Sequence, residues 1–278
     1  LIIDAHIHLW RLGRGDNLAL TPEMGSIYRD LEPQDIKPKL DAAGVSLAVL
    51  VQAAETLAEA LFIVGLARKF PWIAGIIAWI DPASPSVDEE AAALAWLPPV
   101  KGVRPVRGDN RSIDWMLNRQ LERGWRAIAA NGLSLDILVQ NWREISLAAV
   151  LARNNPDLVV ILDHCGKPDI AGGVFDPWAQ YIDELAVLPN VSCKLSGLLN
   201  CAKPGTAVTD IAPYAAHVLN AFGPSRVMWA SDWPPLELAA SYAHWIEISR
   251  ELLQPLSAQH RNEVLSGTAT RVYQLNQN

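Results

Sequence analysis

Residues 2–9 read IIDAHIHL, and the reading of this stretch decides the fold. Ile3, Ala5, Ile7 and Leu9 alternate with Asp4, His6 and His8. That is the period of a β-strand, in which residues i and i+2 share a face. His6 and His8 are therefore expected side by side at the end of a strand, with Asp4 deeper on the same face. Similar short apolar runs follow at 45–52 (VSLAVLVQ), 73–80 (IAGIIAWI), 100–106 (VKGVRPV) and 133–140 (LSLDILVQ). Three more lie at 158–164 (LVVILDH), 190–197 (NVSCKLSG) and 226–232 (RVMWASD).

Longer helical patterns separate these runs. Residues 57–69 carry an apolar stripe and stop before Pro71, and residues 86–97 open with Ser86 and Glu89 spaced as in a capping box. Further helices are expected over 113–130, 143–154, 177–187, 207–222, 237–253 and 257–275. Parallel strands need long crossovers, and helices supply them. Eight strands and eight helices predict an α/β fold, a single (β/α)8 TIM barrel over 1–278, and the length suits the roughly 250 residues such a barrel takes. A doubly wound open sheet is the alternative, but no glycine-rich phosphate fingerprint follows the first strand. Residues 11–44, which contain TPEMGSIYRDLEP, are long for a connection and are expected to form a lid-like loop over the C-terminal face.

Half of the residues are hydrophobic, 19% are charged and the formal net charge is -7. No Lys/Arg-rich run accompanies that charge, so neither nucleic acid nor an anionic membrane is an expected partner. Cys165, Cys193 and Cys201 form no CxxC pair, which argues against a disulfide scaffold or zinc knuckle and for a reducing compartment. The strand-like opening has no basic segment ahead of an apolar one, and no run is long enough to span a bilayer. A cytoplasmic location is expected.

His164 closes the sixth run in LDHCGKP, and Asp232 closes the eighth in MWASDWPP. Functional residues of a barrel gather at the C-terminal ends of its strands. His6, His8, His164 and Asp232 are thus expected to converge on one site. Any one of them alone reads more often as a hydrogen-bonded structural residue than as a catalyst.

DAHIHLW, VQAAET, PWIAGIIAWID, VKGVRP, LDHCGKP, CKLSGL and MWASDWP, in that order, resemble the amidohydrolase superfamily, in its branch of sugar-acid lactonases of the L-fuconolactonase and L-rhamnonolactonase type. The resemblance runs from about residue 2 to about residue 273. It implies a hydrolase whose small-molecule substrate is a sugar lactone, with non-oxidative decarboxylation as the alternative found in related branches. Binuclear members add an acid or carboxylated lysine on strand 4 and a histidine on strand 5. Here Lys101 lies at the wrong end of strand 4, and strand 5 runs out into Gln140 and Asn141. The resemblance therefore implies at most one divalent ion, zinc, on His6, His8 and Asp232, or a site that works without metal. His164 is then a further ligand or a donor to substrate.

Arg104, at the far end of strand 4, is the candidate electrophilic or substrate-orienting group, because a guanidinium offers planar donors to a carbonyl. Arg107 reads as rim or surface. Lys194 lies inside a strand and reads equally as a paired structural lysine or a functional one. Glu55 is expected to cap the helix that follows it. Trp10, Trp79, Trp233 and Tyr28 are expected at the active face as substrate-binding groups. No GxSxG elbow is present, which disfavours a serine nucleophile.

Overall fold

The computed structural model describes residues 1–105 and 114–276. Each of the eight apolar runs forms a strand: β1 (Ile3–Ile7), β2 (Leu47–Val51), β3 (Ile73–Ala78), β4 (Val100–Val103), β5 (Ser134–Ile137), β6 (Val160–Leu162), β7 (Val191–Leu195) and β8 (Val227–Trp229). They make one sheet in sequence order, each strand parallel to the next. The connecting helices are α1 (Pro33–Ala43), α2 (Leu57–Lys69), α3 (Val87–Ala95), α4 (Glu122–Ala130), α5 (Trp142–Asn154), α6 (Trp178–Ala186), α7 (Val208–Phe222) and α8 (Tyr242–Leu253). This is the (β/α)8 barrel.

The seam is the irregular part. β8 is three residues long, and the chain beyond it closes the ring onto β1. The Asp232 N–H donates to His6 O at 3.0 Å, and the His8 N–H donates to Trp233 O at 2.7 Å. Beneath them Asp4 accepts from the Ser231 N–H at 2.9 Å and from the Tyr242 hydroxyl at 2.9 Å. A register shift in β1 between Asp4 and Ile7 changes the strand's facing. Asp4 therefore points outward to α8 rather than into the barrel beneath His6, which corrects the simple alternation read from the sequence. A bulge adds a residue to one strand and re-aims the side chains beyond it.

Two apolar layers follow from the strand period. Ile3, Ala5, Val49, Val51, Ile77 and Met228 fill the barrel, with Tyr273 and Leu275 among the residues packed with them. Their strand neighbours face the helices. No described helix is long and apolar enough to cross a membrane.

The helices differ from the sequence reading in four places. The last third of the expected lid is α1, which begins with Pro33 and contains Pro38. Proline density reads as loop, but Pro33 sits in the first turn, where its missing N–H costs nothing, and a capping box between Glu32 and Asp35 starts the helix. Within 114–130, two short 3-10 turns at Trp115–Leu117 and Arg119–Leu121 precede α4. The 257–275 segment is broken into Ala258–Asn262, a π-turn at Glu263–Gly267 and Thr268–Val272, and it comes after the eight barrel helices. Ser86 makes no cap hydrogen bond to α3, and the N-cap of α2 is Thr56, whose hydroxyl accepts from the Glu59 N–H.

Candidate active site

The barrel's upper interior is polar. His6 and His8 end β1, Arg104 follows β4, Asp163 and His164 follow β6, and Asp232 follows β8. Asp136 of β5 and Lys194 of β7 lie on the inward face between apolar residues that face the helices. Exposure divides the group into two levels. His8, Arg104, His164 and Asp232 keep 6%, 6%, 4% and 8% exposure, whereas His6, Asp136, Asp163 and Lys194 are at 0%. The first set meets solvent, and the second lies sealed below it.

His6, at the boundary between the two levels, joins His8, His164 and Asp232. His6 Nε2 is 3.0 Å from His8 Nε2 and 3.7 Å from Asp232 Oδ1. His8 Nε2 and His164 Nε2 lie 3.5 and 3.7 Å from the same carboxylate oxygen. His8 Nδ1 is 2.9 Å from Val51 O, an acceptor that puts the proton on Nδ1 and leaves the Nε2 lone pair facing inward. Ser196 Oγ, 2.9 Å from His164 Nδ1, fixes the third ring.

His6, His8 and Asp232 pass the geometric test for a cation. Zinc–nitrogen bonds of about 2.0–2.1 Å in tetrahedral array place neighbouring donors about 3.4 Å apart, and the triangle here has edges of 3.0, 3.5 and 3.7 Å. Two imidazoles and a carboxylate are also a zinc-type donor set that leaves a position open. His6, Asp163 and His164 form a second cluster of such donors. There the positive charge is already present: Arg104 Nη1 is 3.3 Å from His6 Nε2 and 3.4 Å from Asp163 Oδ2. Arg104 is clasped by Gln52, whose carbonyl accepts from Nη2 at 2.8 Å and whose side-chain amide donates to Arg104 O at 3.1 Å.

Burial and charge set the protonation states. Burial, aided by Lys194, drives His6 well below the usual imidazole range, and burial lowers His164 against the pull of Asp232 and Asp163. Both rings are neutral at pH 7, the form that ligates metals. Burial raises Asp232, but the surrounding imidazoles outweigh it and hold the carboxyl well below the carboxylate range. Asp232 is thus ionised. Burial opposes charge on Lys194, and Asp136 and Asp163 more than compensate, so it remains an ammonium.

Both His164 and Asp232 have left-handed backbones, with φ of 52° and 60°. Gly197, itself at φ +71°, passes so close to His164 that a Cβ would lie 2.6 Å from the histidine Cβ. Gly197→Ala is therefore expected to displace the ring and to cost about 1–3 kcal/mol of stability. Thermal melts and kcat measured on the same preparation check this, and an unchanged variant would show that the close approach is relaxed in solution.

The tryptophans are spread unevenly. Trp10 is 5% exposed and its indole N–H donates to Arg29 O at 2.9 Å, which ties down the loop before α1. Trp233 is fully buried, and its indole N–H has no partner among the described residues. Trp79 is half-buried, and Tyr28 is 37% exposed. Arg107 lies outside the described residues. The reading of the sequence does not single out Asp136, Asp163, Gln52 and Ser196, although Asp163 adjoins His164 and Gln52 ends the second run.

A family model described as Amidohydrolase matches residues 3–275. An L-fucono-1,5-lactonase from Burkholderia ambifaria is 34% identical over 98% of this chain and 95% of its own. Another from Burkholderia multivorans is 33% identical over 99% and 96%. Among solved structures, an amidohydrolase from Burkholderia multivorans with bound zinc superposes with a TM-score of 0.91, at 31% identity over 99% of this chain and 100% of its own.

Proposed function

The chain belongs to the amidohydrolase family, and from that premise we propose that it opens a sugar-acid lactone, an aldonolactone of the L-fucono or L-rhamnono type, by attack of water on the ring carbonyl. The observation that carries this reading is the convergence of three imidazole nitrogens on one oxygen of Asp232, in a chain 34% identical to an L-fucono-1,5-lactonase.

In this reading the Asp232 carboxylate takes a proton from the attacking water as its oxygen bonds to the carbonyl carbon. Arg104 and His164 donate to the oxygen on which negative charge develops. The ring C–O bond then breaks, and the proton held on Asp232 goes to the departing alkoxide. The aldonic acid formed ionises and releases one proton to solution. His6, His8 and Asp232 would hold a single divalent ion, zinc by their donor chemistry, which when bound supplies Lewis-acid polarisation. Trp79 and Tyr28 are the aromatic groups with surface left for a sugar, and Trp10 and Trp233 support the wall behind them. Residues 11–32, anchored through Trp10 and through Arg14 to Glu59, form the lid over one barrel domain spanning 1–278.

A panel of aldonolactones in weak buffer with a pH indicator tests the reading. One proton per lactone and no CO2 is expected. Dialysis against a chelator is expected to lower the rate, with zinc restoring it; an unchanged rate in ion-free protein would remove the ion from the proposal. No acid from any aldonolactone, together with CO2 from an aromatic carboxylic acid, would replace lactone opening by decarboxylation.

A further inference from the structure

The seam of the barrel holds a buried carboxyl group, Asp4, that the reaction above does not use. β1 and β8 meet late: the bridge between them pairs Ile7 with Trp233, past the last residue of β8. The stretch that closes the barrel, residues 230–233, is therefore irregular chain, and it carries Asp232. Where Asp232 stands relative to His6 and His8 depends on how that chain is fastened to β1. Metal donors must hold their distances within about 0.2 Å, and irregular chain does not meet such a limit unaided.

Asp4 Oδ1 accepts from the Ser231 N–H at 2.9 Å and from the His6 N–H at 3.2 Å, so one oxygen grips the backbone on both sides of the seam. One of those amides belongs to His6 itself, and the other to the residue before Asp232. Asp4 Oδ2 accepts from the Tyr242 hydroxyl at 2.9 Å. Tyr242 opens α8 and packs edge-on against Trp229 of β8, with ring centroids 6.3 Å apart. Further along α8 the Trp245 indole N–H donates to Ala230 O at 2.8 Å, and the Ser231 hydroxyl oxygen accepts from the Trp233 N–H at 3.0 Å. Asp4, Ser231 and Tyr242 are all buried, and Asp4 faces α8 rather than the cavity, so it reaches the site only through the backbone it holds. We propose, on the single-ion reading of His6, His8 and Asp232, that Asp4 is a positioning residue for that site: oriented by Tyr242, it ties the His6 and Ser231 amides together and so sets the 3.7 and 3.5 Å spacings of Asp232 from His6 and His8.

Titration of metal-free protein with Co2+, followed by visible absorption, gives the affinity without any turnover, so its outcome is separate from whether a lactone is opened. Tyr242→Phe leaves Asp4 Oδ2 without its donor, and Asp4→Ala releases both amides. Losing a group that orients metal ligands costs about 10–100-fold in affinity, so the dissociation constant is expected to rise about 10-fold in Tyr242→Phe and about 100-fold in Asp4→Ala. Asp4→Asn keeps an oxygen for the two amides and an NH2 for the tyrosine oxygen, and is expected to stay within about threefold of the parent. Ser249→Ala is the control. It removes the acceptor of the Trp229 indole N–H, a buried bond of 2.8 Å between the same strand and the same helix but away from the seam. Its melting temperature is expected to fall as far as that of Tyr242→Phe, by roughly 2–4 °C, with Co2+ affinity unchanged. A folded Tyr242→Phe protein that binds Co2+ like the parent would overturn the proposal, and this variant decides alone if Asp4→Ala does not fold. Equal weakening in Ser249→Ala would also overturn it, since lost stability would then account for the effect. A parent that takes up no Co2+ would remove the ion reading and the proposal with it.

Discussion

Asp232→Asn is expected to lower kcat by at least about 10²–10⁴-fold, the usual contribution of a general base, while the barrel stays folded. The side chain of Asp232 faces His6, His8 and His164. Its structural duty falls on the backbone, whose N–H closes the seam on His6 O. Asparagine preserves that duty. It retains the amide and the approximate shape, and it tolerates the left-handed φ of 60° better than most residues do. An amide side chain does not take a proton near neutral pH, so only the chemistry is removed. KM should move less than kcat. A variant within threefold of the parent rate would take Asp232 out of the mechanism, and a thermal melt separates that outcome from misfolding. The parent's pH profile is linked to the same groups. Asp232 is held low and His6 and His164 are lowered, so all three stay unprotonated as pH falls. The acidic limb of kcat/KM is expected below the ordinary histidine pKa of about 6.5.

Arg104→Met is expected to lower kcat by about 10²–10³-fold, the usual effect of removing one donor to a developing oxyanion. Arg104 is preorganised by Gln52 O at 2.8 Å and by Asp163 Oδ2 at 3.4 Å, so its remaining N–H groups are held still toward the site. Arg104→Lys should recover little. One ammonium cannot reproduce a planar fork that contacts Gln52, Asp163 and a substrate oxygen together. Stability should fall by about 1–3 kcal/mol in either variant as Gln52 O loses a buried donor. An Arg104→Lys protein with kcat near the parent's would mean that charge alone is required.

The barrel and the convergence of four residues on its mouth are legible in the sequence because both depend on local order. Strand period locates each run, and His6, His8, His164 and Asp232 stand where those runs end. What escapes depends on contacts between distant residues. Lys194 and His6 are 188 positions apart, and Lys194 and Asp136 are 58 apart. Nothing near any of them in the chain marks the other two as partners. Simple alternation puts Asp4 on the wrong side because a register shift interrupts the period on which that assignment rests. Helix α1 is hidden by prolines whose effect depends on their place within a turn. The indole N–H of Trp10 fastens the loop at Arg29, a partner 19 positions away that its place after β1 does not announce.

The seam between the two ends of the sheet has a consequence for how the molecule is made. His6 and His8 leave the ribosome first, and Asp232 follows more than 220 residues later. Until residues 231–233 dock on β1, the growing sheet has two bare edges, and such edges invite pairing with other chains. Docking closes a very long loop, so its entropic cost is met only once the intervening strands have aligned. The step that removes the last sticky edge is also the step that brings Asp232 to the histidines. Nascent chains that stop short of Asp232 therefore lack the carboxylate of the candidate site and are at their most vulnerable to aggregation, and completion of that site marks the moment at which the hazard ends.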